Sequence, residues 1–410
     1  MMNNKTLSVI ALLCCSTSVS AAKITGLAEV SLVSTEKQAS WLNSWMQGGV
    51  GLLRYDEQDS IVFNQAFIEL EQNLPYNISF NGTAHYQADG EQNLGISEAY
   101  LSYLPLSQGF KHQFKAGFFY PRMSLENADS GWTSPYNYNF SAINSWLAEE
   151  LRTIGMEWTV SRPGRVHRSP HSYSFTLSAF QANDGLASLL AWRGWALHNR
   201  QTVYGEQVNF ANYFQFQSNP TPNPTYVVPF KETDNRLGFY LGANWRYLRS
   251  TDVRVYFYDN LADPMAVEPD MQYAWRNQFV SIAGLHKFNK QWRVLAQWMD
   301  GYTEMGDKIN GVFFDYNAWY LLLSYHHSDH RYSVRYDKFS VTDTDINPED
   351  PNDSDGSAVT LTWRYDINSA WQAGVEYIHV DSSNDSRTLW RNWQAQQKQT
   401  QFMATIQYRF

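Results

Sequence analysis

The stretch QFMATIQYRF, residues 401–410, alternates without interruption between two kinds of side chain. Phe402, Ala404, Ile406, Tyr408 and Phe410 fall on one side, and Gln401, Met403, Thr405, Gln407 and Arg409 on the other. A period of two residues is that of a β-strand, because successive side chains leave opposite faces of the pleat. One face is apolar and the other polar. The rhythm returns in Val359, Leu361, Trp363 and Tyr365 against Thr360, Thr362, Arg364 and Asp366. It returns again in Leu237, Phe239, Leu241, Ala243, Trp245 and Tyr247 against Arg236, Asn244 and Arg246, and in Ile78, Phe80, Gly82, Ala84 and Tyr86 against their polar neighbours.

A soluble β-sandwich also alternates, so connection lengths have to separate the two architectures. Strands are expected at 236–248, 251–260, 275–288, 291–301, 312–326, 330–341, 356–367 and 370–380, and within each consecutive pair the turn is tight, as at Asn289-Lys290 and Asn368-Ser369. The intervening connections near 261–274, 302–311, 342–355 and 381–397 are long and polar. Short turns on one rim and long loops on the other are the signature of a transmembrane antiparallel β-barrel. Earlier strands are expected near 23–33, 61–71, 77–88, 94–104, 110–120, 150–160 and 171–182. With the terminal strand these make about 16; 18, with another strand drawn from 200–230, is the alternative. The extended-looking segment 48–55 is assigned to the first external loop, since counting it would put the two termini on opposite sides of the membrane.

Composition agrees. Of 410 residues, 16% are aromatic and only 17% charged, and mean hydropathy is −0.47. Outside the N-terminus no apolar run approaches the ~18 residues that a spanning helix needs, so a helical membrane protein is excluded. Residues 1–22 read as a secretory signal peptide: Lys5, an apolar stretch from Thr6 to Cys15, then small residues to Ala22. Both cysteines, Cys14 and Cys15, leave with it, and 23–410 then forms a single barrel domain with a net charge of −10. No basic footprint for nucleic acid remains.

The terminal ATIQYRF, with Ile406, Tyr408 and Phe410 in phase, resembles the signal by which outer-membrane proteins are recognised for barrel assembly. The strand EAYLSY (98–103) and the stretch FKAGFFYPRMSLEN (114–127) are similar to Gram-negative outer-membrane porins, loosely those of the phosphate-selective porin O/P type. The resemblance implies a passive, homotrimeric diffusion channel in the cell outer membrane, embedded in lipid and lipopolysaccharide and inserted by the barrel-assembly machinery, through which small hydrophilic solutes pass. It also implies that the inserted segment near 121–150 folds inward as a constriction loop, carrying Arg122, Glu126, Asp129, Trp146, Glu149 and Glu150. Within it Ser141 is placed to cap a short helix whose Ile143, Trp146, Leu147 and Leu151 recur at helical spacing.

The alternation directs a basic wall inward: Arg236, Arg246, Arg254, Arg293, Arg331, Arg335 and Arg364, joined by Lys111, Lys115 and Arg409. Glu69, Glu71, Glu98, Glu157, Asp337, Asp366 and Glu376 share that face. An arginine wall opposite an acidic loop sets up a transverse field and favours a weak anion preference; arginines paired with neighbouring carboxylates would instead stiffen the wall without selecting. Small inward residues such as Ser102, Gly117, Ser174, Ser178, Gly238, Gly242 and Gly374 favour an open bore, which inward Tyr240, Tyr256 and Tyr258 narrow. Two external segments carry chemistry of their own. LLAWRGWALHNRQ (189–201) combines Trp192, Trp195, Arg193, His198 and Arg200, which could stack on sugars or hold a carboxylate, or simply pack on the barrel mouth. The acidic run from Asp343 to Asp355 lacks the order of a calcium loop.

Catalytic signatures are missing: there is no G-x-S-x-G, H-E-x-x-H or Walker loop, and the 10 histidines have no metal-ligand spacing. No cofactor, metal or enzyme activity is expected. An outer-membrane lipid hydrolase built from residues gathered by folding, and a non-conducting adhesin or structural barrel, are the alternatives. Strand alternation already begins at Ile24, which leaves no room for the plug domain of an energy-coupled receptor.

Overall fold

The computed structural model describes residues 21–56, 60–211, 224–347 and 350–410. The targeting segment read over 1–22 lies almost wholly outside the described residues, as does Glu349 of the acidic run. The strands are β1 (Lys23–Lys37), β2 (Ile61–Leu74), β3 (Ile78–Gln87), β4 (Leu94–Tyr103), β5 (Lys111–Phe119), β6 (Thr153–Arg162) and β7 (His171–Gln181). A two-residue ribbon, β8 (Val208–Asn209) with β9 (Tyr226–Val227), follows. Then come β10 (Gly238–Tyr247), β11 (Thr251–Asp259), β12 (Arg276–Lys287), β13 (Trp292–Met305), β14 (Val312–His327), β15 (His330–Asp343), β16 (Ser354–Asp366), β17 (Trp371–Asn384) and β18 (Gln397–Arg409).

All except the ribbon form one closed antiparallel barrel, so the barrel has sixteen strands. The region 200–230 adds no wall strand among its described residues: β8 and β9 pair with each other outside the barrel. β1 and β18 pair from Leu27 with Arg409 to Lys37 with Gln399, and Gly26 and Phe410 exchange backbone bonds of 3.0 and 3.1 Å beyond that register. Closure leaves no unpaired wall edge, the condition a sheet must meet in lipid, where water cannot satisfy the backbone. Every tight turn and both ends of the sheet lie on one rim; the other rim carries the long connections. The strand expected from 150 starts at Thr153, because Glu150 is the last residue of helix α1 (Ala142–Glu150).

The barrel is inside-out relative to a soluble protein. Along β18 the polar Gln401, Thr405 and Gln407 are buried, while Phe402, Ile406 and Tyr408 are exposed. The same inversion holds in β16, where Thr360, Thr362 and Arg364 are buried and Val359 and Leu361 exposed. A continuous apolar exterior of this kind is that of a wall solvated by hydrocarbon. Trp371, Tyr408 and Phe410 end that exterior at the tight-turn rim, where an aromatic ring can sit half in headgroups.

The polar interior is not an empty pipe. Small inward residues make room for rings and for loop, instead of widening a channel: a Cβ on Gly374 would meet the Tyr138 hydroxyl at 2.5 Å, and one on Gly242 the Tyr256 ring at 2.5 Å. At Gly242 and Gly374 the room is therefore filled, in the first case by one of the tyrosines expected to narrow the bore.

Candidate functional site: the occupied bore

Residues 120–152 leave β5, run along the inner wall, and return to β6 almost entirely buried. The wall holds this segment by its backbone. Arg335 bonds Glu126 at 2.7 Å and Asp337 at 2.7 Å, and donates to the carbonyls of Asn139 (2.9 Å) and Phe140 (2.8 Å). Arg364 donates to the Ser134 carbonyl at 2.6 Å and to Gln372 and Gln407, while its guanidinium lies over the Tyr138 ring. Glu376 accepts from the amides of Tyr138 (2.7 Å) and Asn139 (2.9 Å), and Asp337 from that of Ala142 (3.1 Å). Arg254 donates to the carbonyls of Arg122 and Ser124. An irregular segment exposes unpaired amides and carbonyls, which must find partners when water is excluded; inward-facing charged side chains at strand positions supply them here.

The arginines of the basic wall separate by height. Arg254, Arg335 and Arg364 are turned into the bore, while Arg293 and Arg331, second residues of β13 and β15, lie near the tight-turn end of the wall beside Tyr136. Arg236 sits at the long-loop lip on Asp263 (2.7 Å), and Arg246 at the tight-turn rim on Asp252 (3.3 Å), both side chains about half exposed. In the inserted segment Glu126 is wholly buried, Asp129 contacts Arg409 at 3.5 Å, and Arg122 is exposed with its carbonyl held by Arg254. Glu126 and Asp129 therefore touch wall arginines instead of facing them at a distance, and no open transverse field arises between Arg335 and Glu126.

Helix α1 seats the segment. Ser141 Oγ accepts from the Asn144 amide at 3.3 Å, capping the first turn. Trp146 packs edge-on to Trp195, Phe279 and Tyr316, at 5.7, 5.8 and 5.3 Å. Glu149 and Glu150, adjacent in sequence, have opposite environments. Burial would raise Glu149, but Arg193 in contact with it, and His198 at 3.1 Å, outweigh burial and hold it below the usual glutamate range. Burial pushes Glu150 up to about 8; N–H groups of Leu189 at 2.9 Å and of the Trp146 indole at 2.6 Å offset this only in part, and no cation touches it among the described residues. Glu150 is therefore mainly protonated at neutral pH, whereas in the unfolded chain it ionises near the ordinary value. The folded form holds the extra proton, so stability falls as pH rises from that ordinary value through about 8. The expected result is a lower thermal midpoint at pH 9 than at pH 6, with the difference diminished in Glu150→Gln; a pH slope unchanged by the substitution would exclude this carboxyl.

A second segment enters the bore, and nothing periodic in the sequence announced it. After helix α2 (Ser188–Arg193), residues 195–203 thread beside α1 with almost no exposure. Leu197 donates to the Leu52 carbonyl (2.8 Å), Phe140 to that of His198 (3.1 Å), and Thr202 to that of Ala148 (3.2 Å). Trp195 is buried against Trp146, Arg193 clamps Glu149 and lies over Trp45, and Trp192 stacks on Phe210 at 4.4 Å. Of the readings open for 189–201, packing into the barrel is the one observed.

This segment completes a second arginine group, facing β2 to β4; Arg200 was singled out in the sequence, but the grouping with Arg54 and Arg152 was missed because all three lie outside the strands. Arg54 donates to Asp89 (2.8 and 2.9 Å), Asn199 (2.6 Å) and Gln87 (2.9 Å); Asp89 outweighs burial and keeps its guanidinium above the ordinary value. Arg200 holds Asp89 and Glu206. Arg152 touches no carboxylate among the described residues and lies flat on Tyr120 at 3.9 Å, and burial pulls it down to about 9. Beside them both ring nitrogens of the buried His85 lack a hydrogen-bond partner among the described residues. Glu29, also missed, is buried on β1 and accepts from Asn64 and Gln407; its alternation with Val30 could have revealed it.

Two cavities open toward the tight-turn side. One of about 380 Å³ is lined by Asp329, Asp366, Gln372 and Arg409; another of about 200 Å³ by Glu69, Glu98, Tyr100 and Ser130. On the long-loop side, carboxylate oxygens of Asp184, Glu232 and Asp234 lie within 4.8 Å of one another, a spacing that could hold a cation. Their oxygens already accept from the amides of Thr233, Ala182 and Arg236, and burial pushes Asp184 up to about 7.

Among solved structures, the trimer form of OmpT, an outer membrane protein of Vibrio cholerae, is similar over 95% of this chain and 100% of that one, with 9% identity and a TM-score of 0.51. The fold is that of outer-membrane β-barrels. The anion-selective porin of Comamonas acidovorans matches 95% of this chain and 99% of that one at 10% identity and a TM-score of 0.55. The outer-membrane channel DcaP of Acinetobacter baumannii matches 95% and 97% at 9% identity and a TM-score of 0.52. No protein-family model and no curated protein matches the chain. The similarity is thus one of architecture, and the phosphate-selective type has no support in it.

Proposed function

We propose that this chain is a porin of the cell outer membrane: a passive diffusion channel for small hydrophilic solutes, narrowed by residues 120–152 acting as a constriction loop. The observation that carries the reading is the clamping of that irregular segment inside a closed barrel by Arg335, Arg364 and Glu376. A barrel that served only as scaffold has no need for a polar wall built to hold a loop at mid-depth. The finer reading is a weak anion preference. Glu376 and Glu69 are met by backbone N–H groups, and Glu150 is mainly neutral. Arg293 and Arg331 meet no carboxylate among the described residues and face the Tyr136 ring at 6.0 and 5.4 Å. These two arginines put local positive charge on the β13 to β15 side, and rings of charge bias ion selectivity.

Purified protein in planar bilayers is expected to give small, stable conductance steps, with a reversal potential of anionic sign under a salt gradient. Absence of steps would remove the channel reading, and clear cation selectivity would remove the finer one. In keeping with a channel, no phospholipid hydrolysis is expected from the same preparation, and no metal or cofactor is invoked. A homotrimer, contact with lipopolysaccharide, and insertion by the barrel-assembly machinery through Ile406, Tyr408 and Phe410 belong to the same proposal. All three of those side chains face outward at the tight-turn rim. Removing Phe410 is expected to leave most of the product heat-unmodifiable on gels, the sign of an unassembled barrel.

A further inference from the structure

The tight-turn rim is chemically lopsided. On the arc formed by the consecutive neighbours β5, β6, β7, β10, β11, β12 and β13, each turn presents an exposed apolar side chain next to cations. Phe110 precedes Lys111; Val166 lies between Arg165 and Arg168; Leu248 precedes Arg249; Phe288 lies between Lys287 and Lys290. The apolar members are 52, 54, 62 and 63% exposed, respectively. None of these cations forms an ion pair among the described residues. Asp252, at the start of β11 on this arc, is taken by Arg246 and Arg254. The remaining arc of the same rim is mixed, with Glu71 beside Lys23 and with Asp329 and Asp366 beside Arg409.

Two histidine–tryptophan pairs lie on the same arc. The Trp158 indole N–H donates to His112 Nδ1 at 3.2 Å and that of Trp245 to His171 Nδ1 at 3.1 Å, with ring planes within 20°. An aromatic partner of this kind belongs at the level of headgroups.

We infer that this arc is a docking surface for anionic phospholipid in the membrane leaflet at the tight-turn rim: the turn apolar side chains enter the acyl boundary while the flanking Lys and Arg meet lipid phosphates. The inference rests on the transmembrane reading of the barrel but not on conduction. Charge complementarity selects the occupant. Cations without a protein partner, set at the edge of an apolar wall, lie where phosphates lie, and a basic group near an anionic leaflet gains roughly fivefold in association. A neutral headgroup would make use of the aromatic belt but not of the confinement of charge to one arc. The screening that weakens exposed electrostatics also applies, so the preference falls as salt rises.

The test uses the whole protein in phosphatidylcholine vesicles with trace spin-labelled phosphatidylglycerol or phosphatidylcholine. The wild type is expected to immobilise phosphatidylglycerol at least severalfold more strongly. The variant Arg165→Gln, Arg168→Gln, Arg249→Gln and Lys290→Gln should bring the ratio near one, and the corresponding Arg→Lys variant should keep it. Conductance measured on the same vesicles separates the two readings: silent vesicles with lipid preference intact would overturn the channel alone. Equal immobilisation of both lipids by wild type, or a preference unchanged in the glutamine variant, would overturn the docking surface. So would binding to isolated peptidoglycan that needs these cations while lipid preference is absent.

Discussion

Arg335→Ala is expected to raise single-channel conductance markedly and to make the bore protease-accessible near residues 126–141. The guanidinium is fully buried and holds Glu126, Asp337 and two loop carbonyls at once. Removing it leaves two buried carboxylates without their cation, a change that costs about 3–5 kcal/mol when one partner of a buried pair is lost. The barrel ladder itself does not use the side chain, so the strain is relieved by releasing the loop, not by opening the wall. The pair is not needed for stability as such. Arg335→Met combined with Glu126→Leu and Asp337→Leu is expected to recover much of the thermal midpoint, since apolar replacements of similar volume often match a buried ion pair. Conductance and protease pattern identical to wild type in Arg335→Ala would show that the loop is held elsewhere.

Replacing residues 196–202 by an equal length of glycine and serine is the second change with a large expected effect. It removes the Leu197 packing and the Arg200 contacts with Asp89 and Glu206, and leaves α1 covered by nothing of similar bulk on that side. Conductance is expected to rise and larger sugars to pass, while gel mobility of the heat-modifiable barrel stays unchanged. A block that behaves like wild type would mean that the β7 to β10 connection does not limit the bore. The two changes share contacts, because Phe140 donates to the His198 carbonyl and Thr202 to that of Ala148. Their combined effect should therefore fall short of the product of the separate ones, as coupled neighbours do.

The wall was legible because its signal is local. Whether Thr362 faces in and Leu361 out depends on the pleat and on which solvent meets each face, and both are written in adjacent residues. Parity and loop asymmetry then carried the strand count. Ser141 and Trp146 were legible for the same reason, since capping and a helical stripe extend over a few positions. Arg236 and Arg246 share the phase of the wall arginines, yet one lies at a lip and the other at a rim, because phase reports a face and not a depth. Arg54 and Arg200 carry no phase at all, and their neighbour Asp89 is distant in sequence from Arg200.

The order of side chains along the chain was enough to determine a closed sheet with an apolar exterior and a polar interior, since alternation and turn length act between near neighbours. Which segments fill that interior was decided only by tertiary structure. Irregular backbone has no period to read, and its place is set by unpaired amides and carbonyls meeting wall residues such as Arg335, Arg364 and Glu376, hundreds of positions away.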